Sequence, residues 1–222
     1  MTEDDDIPAE YASPACLLHE IDPVYAGLAP APAPPPEGVT AWRKTQREEL
    51  IAARLAIPAE TRTAHSQAIG DALDKLIGDI AGKSVSLYWP FRGEPDLRPW
   101  MATATARGAT CLLPIVVAKA QPLIFKAWKQ GDKLDRGVWN IPIPAEGDEM
   151  LPDIVIAPLV GFDPSRYRLG YGGGFFDRTL AVHPGRPLVI GVGYSSQHIP
   201  TIHPQRHDIP MQAIITESGL WR

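Results

Sequence analysis

Ile154-Val155-Ile156-Ala157-Pro158-Leu159-Val160, followed after a turn-rich stretch by Arg168-Leu169-Gly170-Tyr171-Gly172-Gly173-Gly174-Phe175-Phe176-Asp177, decides how this chain is read. The first run is almost wholly apolar, as expected of a strand covered on both faces. The second is a glycine loop, and the residues after it, 175–182, carry a helical pattern. Working outward, residues 188–192 and 213–216 read as further strands, the last of the chain. Upstream, Val85, Leu87 and Trp89 alternate with Ser86 and Tyr88 in a strand ending at Pro90, and residues 110–117 and 123–128 read as strands. Helices are predicted over residues 40–56, after Pro58 and over 97–107. Thr40 would cap the first, whose apolar positions are Trp42, Leu50, Ile51 and Leu55, with Arg43, Arg47 and Arg54 on neighbouring turns. Ile69, Leu73, Leu76 and Ile77 form the stripe of the second. Strands alternating with helices predict an α/β fold with a mostly parallel sheet sandwiched between helices.

The 222 residues are 45% hydrophobic and 21% charged, an ordinary balance that supports one sizeable core. Two cysteines exclude a disulfide scaffold and suit a reducing compartment. No apolar run reaches the roughly 18 residues of a membrane span. The acidic start Met1-Thr2-Glu3-Asp4-Asp5-Asp6 lacks the pattern of a secretory signal, so a cytoplasmic protein is expected. Residues 1–40 hold Glu3, Asp4, Asp5, Asp6, Glu10, Glu20, Asp22 and Glu37, with no Lys or Arg. All 21 basic side chains therefore lie beyond residue 40, against 18 of the 26 acidic ones, a balance of +3. That suits an anionic small ligand and is far from the footprint of a nucleic-acid binder. Pro30-Ala31-Pro32-Ala33-Pro34-Pro35-Pro36 favours extended backbone. Residues 1–40 are therefore expected to be a flexible leader, with Cys16-Leu17-Leu18-His19-Glu20-Ile21 as an apolar island, ahead of one catalytic domain over 41–222.

Four glycines in five residues let backbone N–H groups approach a ligand where any Cβ would collide, and the following helix N-terminus favours an anion. The loop reads as a phosphate cradle or as a plain tight turn. Arg168 would add charge and a forked donor, and Asp177, in the helix's first turn, could share Mg²⁺ with phosphate oxygens. It is neither a P-loop nor a dinucleotide fingerprint, because no G-x-x-x-x-G-K-[ST] occurs and Phe175 stands where G-x-G-x-x-G needs its third glycine. Phe91-Arg92-Gly93-Glu94 sits at the carboxyl end of a strand, where ligands of open α/β sheets bind. Glu94 there is either an acceptor for an amino-heterocycle or part of a surface turn. Asp208 is a second candidate carboxylate for Mg²⁺. His203 and His207 have the spacing of a metal pair, but Pro204 works against the helix that would align them. Cys111, inside an apolar strand, reads as core.

Taken together, Arg168-Leu169-Gly170-Tyr171-Gly172-Gly173-Gly174-Phe175-Phe176-Asp177 resembles the signature of the 5-formyltetrahydrofolate cyclo-ligase (5,10-methenyltetrahydrofolate synthetase) family. The likeness extends to residues 47–54, to Tyr88-Trp89-Pro90-Phe91-Arg92-Gly93-Glu94-Pro95-Asp96, to residues 156–163 and to His207-Asp208-Ile209-Pro210, in order over about residues 41–217. The resemblance implies a three-layer cyclo-ligase-like fold and ATP-dependent closure of 5-formyltetrahydrofolate to 5,10-methenyltetrahydrofolate, with Mg²⁺. It implies that Arg43, Arg47, Arg168, Leu169, Gly170, Tyr171, Gly172, Gly173, Gly174, Phe175 and Phe176 bind ATP. Trp89, Glu94, Gly172, Gly173, Gly174 and Phe175 would contact the folate, Asp177 and Asp208 the metal, and Arg168 and Asp177 would be catalytic. ATP and a reduced folate are then the partners of a monomer, with no nucleic acid and no membrane. Phe175-Phe176 stands where the family commonly has Tyr-Tyr, Asn140 lies where many members have Glu, and Gln212 where Asp is frequent. These departures leave two alternatives: an ATP-dependent ligase for another one-carbon or pterin compound, and a non-catalytic module for a phosphorylated metabolite.

Overall fold

A computed structural model describes residues 38–221 of the chain. The expected leader therefore lies outside the described residues, apart from 38–40. A seven-stranded sheet carries the fold, in the order β11 (Gly219–Trp221), β10 (Ala213–Thr216), β9 (Leu188–Val192), β6 (Ile154–Pro158), β1 (Ser84–Ser86), β2 (Thr110–Ile115), β3 (Ile124–Ala127). The five central strands are parallel, and β3 and β11 run antiparallel at the two edges. Two small hairpins lie outside it: β4 (Leu134–Arg136) with β5 (Pro142–Pro144), and β7 (Gly161–Phe162) with β8 (Arg168–Leu169). Among the described residues no helix is long and apolar enough to cross a membrane.

Alternate side chains of β6 point into two separate cores, so the strand has no polar face. Ile154 and Ile156 join Val85, Leu113 and Ile190 beneath α2 (Ala59–Ile77) and α3 (Arg98–Ala106), which supply Ile69, Leu73, Trp100 and Met101. Val155 and Ala157 join Val189 and Ile214 on the other face, against Phe176 and Leu180 of α4 (Phe175–Val182). The helices thus cover both faces, as a parallel sheet requires.

Three expectations need correction. α1 (Val39–Leu55) starts before Thr40, because the Gly38 carbonyl accepts the first helical bond from Trp42 N–H at 3.1 Å. Trp42 and Leu50 pack against Leu169, Ile199 and Ile202, but Leu55 is exposed, and the buried residues of α1 are Arg43 and Arg54. The inner face of this helix thus meets a small apolar cluster and, through its two buried arginines, polar groups beside it. β1 is also shorter than its alternation suggests: the last ladder bond is Leu87 N–H to Leu112 O at 3.0 Å, after which the chain leaves the sheet. Ser86 and Tyr88 are as buried as their apolar neighbours, because β1 lies between two strands under both layers. Finally, residues 213–216 are followed by a further strand, β11, entered through Gly219 at φ 100°.

Candidate active site

From β1 the chain crosses to β2 on one side, while β6, β9 and β10 follow on the other. The direction of winding reverses between β1 and β6, where open α/β sheets form a crevice at their carboxyl ends. The segment leaving β1 carries Trp89, Phe91 and Glu94. The segment leaving β6 returns through the β7–β8 hairpin as the glycine loop. Both line one cleft, with Arg43 and Arg47 from α1 and Asp177, His207 and Asp208 on its other wall.

Asp163 sets the walls. One of its carboxylate oxygens accepts from Ser165 and Tyr167 N–H, at 3.0 and 3.2 Å, and closes the β7–β8 turn. The other accepts from Ile202 N–H at 3.1 Å and draws in the 202–208 loop. The glycine loop needs its composition. Gly172 has φ 96°, and a Cβ there would lie 3.4 Å from the Arg47 Cζ. Gly174, at φ 62°, is the left-handed N-cap of α4. Arg47 Nε donates to the Gly170 carbonyl at 2.7 Å. Its terminal nitrogens make no hydrogen bond among the described residues and are directed over the loop. Burial and the neighbouring Arg43 charge push the Arg47 guanidinium below its usual range, against the pull of Asp208. An anion would relieve both effects.

The other two arginines are committed. Arg43 Nε donates to Ile202 O at 2.9 Å, one terminal nitrogen donates to His203 O at 3.0 Å, and the guanidinium forms an ion pair with Asp208. Arg168 is buried, pairs with Asp177 at 3.0 Å and stands 4.9 Å from the Phe176 ring centroid. Its Nε has no hydrogen-bond partner among the described residues. Burial lowers the Arg168 pKa, and Asp177 and Asp208 oppose that. Burial also works against ionisation of Asp208, but hydrogen bonds from Arg43 and Gln205 N–H outweigh it and hold the carboxyl below its usual range.

Glu94 is 5% exposed and makes no ion pair among the described residues, so it is no surface turn. One carboxylate oxygen accepts from Phe91 N–H at 2.9 Å, while the other has no hydrogen-bond partner within 3.5 Å among the described residues. Burial pushes its pKa up to about 7, against the Arg54 charge, the Phe91 N–H hydrogen bond and the neighbouring Tyr171 hydroxyl. An unsatisfied buried acceptor beside an open cleft calls for a donor from a ligand. Trp89, edge-on to Trp128 at 5.6 Å, adds an apolar wall.

Asp177 and Asp208 both face the cleft, and each has an arginine as partner. No group of three or more His, Cys, Asp or Glu able to hold a metal occurs among the described residues. The Asp208 carboxyl is kept ionised, and carboxylates retain lone pairs beyond one ion pair. Two carboxylates fit Mg²⁺ of the kind that keeps most of its ligands from phosphate and water, rather than a resident all-protein site. His203 packs edge-on against Trp42 at 4.7 Å instead of aligning with His207.

The structure thus brings Arg43, Arg47, Trp89, Glu94, the loop 168–176, Asp177 and Asp208 to one cleft. Two contributors escaped the sequence reading. The β4–β5 hairpin reaches over the cleft and presents Val138, Trp139 and Ile141. Trp139, at φ 57° and 54% exposed, stacks with Phe91 (centroids 6.4 Å apart, 8° between planes) and neighbours Tyr171 at 6.4 Å. The other is Arg54, which does not line the cleft but hydrogen-bonds Arg92 O, Leu159 O and the Tyr171 hydroxyl behind its wall, and whose only signal was its place on the same helix as Arg43 and Arg47. The departures at 175, 176 and 212 have structural explanations. The Phe175 and Phe176 rings pack on the core of Leu112, Leu123 and Phe125, which asks for no hydroxyl. Gln212 Oε1 accepts from Val189 N–H at 2.8 Å at the start of β9, away from the cleft. Asn140, at φ 60°, sits in the hairpin turn, where its carbonyl accepts from Arg136 at 3.1 Å.

The chain is similar to known proteins over most of its length. The family model described as "5-formyltetrahydrofolate cyclo-ligase family" matches residues 39–217. The 5-formyltetrahydrofolate cyclo-ligase of Escherichia coli (strain K12) is 30% identical over 149 residues, covering 64% of this chain and 82% of that protein. The Mycolicibacterium smegmatis protein of that name is 29% identical over 178 residues, 77% of this chain and 91% of its own. The NMR structure of Aquifex aeolicus 5,10-methenyltetrahydrofolate synthetase superposes with a TM-score of 0.71 at 28% identity, over 81% of this chain and 92% of that one. With the match running from α1 through β10, and so across every wall of the cleft, this chain belongs to the 5-formyltetrahydrofolate cyclo-ligase family.

Proposed function

We propose that the protein catalyses the ATP-dependent closure of 5-formyltetrahydrofolate to 5,10-methenyltetrahydrofolate, releasing ADP and phosphate. One observation carries the reading beyond family membership: a glycine loop overhung by open Arg47 donors and a buried, half-satisfied Glu94 carboxylate share one crevice. The first suits a triphosphate and the second an amino-substituted heterocycle.

A formamide oxygen is a poor leaving group. In the proposed sequence the formyl oxygen, made electron-rich by N5, attacks the γ-phosphorus, and the bond from phosphorus to the ADP oxygen breaks. N10 then adds to the activated carbon. The carbon–oxygen bond breaks, inorganic phosphate leaves, and N10 gives up its proton as the N5–C–N10 bridge forms. No covalent bond to the protein is required, which accords with Cys111 being buried in the core with its thiol pKa pushed up by burial. The protein's task is alignment and charge neutralisation.

Arg47, Arg43 and the backbone of residues 169–176 bind the nucleotide in this reading. Arg168, fixed by Asp177, neutralises charge on the transferring group, and its unpartnered Nε is a donor in reserve. Glu94 accepts hydrogen bonds from the pterin, between Trp89 and the Trp139–Phe91 stack. Mg²⁺ arriving on the triphosphate would be held by Asp177 and Asp208 and would supply further charge neutralisation. Every group named lies in one chain, so a monomer suffices, and both substrates suit the cytoplasm.

The test is to mix the protein with Mg-ATP and 5-formyltetrahydrofolate and follow the methenyl chromophore together with ADP. Stoichiometric appearance of both is expected. ADP formation with another pterin acceptor but no cyclisation would favour the divergent ligase, and ligand binding without turnover the non-catalytic module.

A further inference from the structure

Arg54 is 1% exposed, yet its hydrogen bonds run to neutral acceptors in three segments that each end at the cleft. Nε donates to Arg92 O at 2.9 Å, one terminal nitrogen to Leu159 O at 3.1 Å, and the other to the Tyr171 hydroxyl at 2.5 Å. A buried guanidinium is costly unless its geometry is well met, and an apolar residue would fill the helix face more cheaply. The turn that it reaches is unusual. Arg92 and Gly93 have φ values of 47° and 77°, and the former is uncommon for a residue with a Cβ.

Three side chains from outside hold that turn. The Phe91 carbonyl accepts from the Tyr171 hydroxyl at 3.3 Å, Arg92 O from Arg54, and Gly93 O from the Tyr194 hydroxyl at 3.1 Å. The Phe91 N–H in turn orients Glu94. Tyr171 belongs to the glycine loop, between two glycines. Its hydroxyl accepts from Arg54 and donates to Phe91 O, so a shift of the loop cannot leave the turn unaffected.

We infer that Arg54 is a positioning residue that, through the shared Tyr171 hydroxyl, ties the nucleotide loop to the turn bearing Glu94, so that nucleotide and folate favour each other's binding. The inference rests on the functional reading above. Coupling of this kind is reciprocal: whatever factor the nucleotide contributes to folate affinity, the folate returns.

Calorimetry on the full chain would measure the 5-formyltetrahydrofolate dissociation constant with and without a non-hydrolysable ATP analogue and Mg²⁺. In the unsubstituted protein the analogue should tighten folate binding at least about fivefold. Tyr171→Phe keeps the ring against Phe91 and Trp139 and removes the hydroxyl that forms the bridge and also lies beside Glu94, so the quantity read is the ratio of folate affinities with and without the analogue rather than either affinity alone. The factor should then fall close to one. Arg54→Lys keeps the charge but not the fork, and should also lose the coupling. If thermal melting shows that Arg54→Lys does not fold, Tyr171→Phe decides alone. A factor of one in the unsubstituted protein, or an undiminished factor in Tyr171→Phe, overturns the inference. A parallel turnover assay separates the two failures. Cyclisation without coupling sinks only this inference, whereas no cyclisation and no folate binding sinks the functional reading beneath it.

Discussion

Replacing Glu94 by Gln should make the protein more stable and less able to bind folate. The side chain is buried, one oxygen accepts from Phe91 N–H, and the other has no hydrogen-bond partner among the described residues. Its pKa is pushed up to about 7 from an ordinary 4.5. At ~1.4 kcal/mol per tenfold change in proton affinity, that difference amounts to about 3 kcal/mol. The sign follows from linkage. The folded state holds this proton more tightly than the unfolded one, so the contribution is complete below pH 4.5 and is lost as pH rises through 7. A Gln cannot ionise and escapes that loss. Guanidinium titrations of both proteins across this range should therefore show the parent losing about 3 kcal/mol relative to the variant. Folate binding should move the other way: at pH 8 the variant loses a charged acceptor, a weakening of roughly ten- to a hundredfold. Parallel stability profiles would refute the reasoning, since they would mean that Glu94 titrates no differently in the folded and unfolded chain.

Arg168→Ala and Asp177→Asn should each lower turnover at least ~100-fold, because both act where charge develops; near-normal rates in steady-state assays would contradict their roles. Gly172→Ala combines strain at φ 96° with a Cβ set 3.4 Å from Arg47. Its KM for ATP should rise with little change in the KM for folate. Trp139→Ala removes an exposed ring, so the melting temperature should hold while the folate KM rises about tenfold. Chelation with EDTA should abolish turnover and excess Mg²⁺ should restore it; a full rate in chelator would remove the metal role of Asp177 and Asp208.

Much of the scaffold was legible because it is written locally. The helix α4 after its glycines, and β9 and β10, match their expected bounds, and the doubly covered strand β6 starts where expected but ends at Pro158 rather than Val160, since a run of apolar residues or a left-handed turn is a property of neighbouring positions. The β4–β5 hairpin was not legible: its strands have three residues each, with a proline at both ends of one, so they carry no usable period. β11 escaped for the same reason of length.

The site divides along the same line. Residue types sufficed to nominate the glycine loop, Glu94, Arg168, Asp177 and Asp208, because phosphate and heterocycle recognition call for those chemistries, whereas Arg43 and Arg47 came from the family resemblance. Which partner each one takes was decided only by folding. Arg43 meets Asp208 across 165 positions, and Arg54 meets Tyr171 across 117. Glu94 became a buried carboxylate of raised pKa rather than a solvated turn residue because Arg54 of α1 and Tyr171 of the glycine loop, both distant in sequence, pack around it. Burial and pairing depend on distances through space, which in this chain join segments that the one-dimensional order keeps apart.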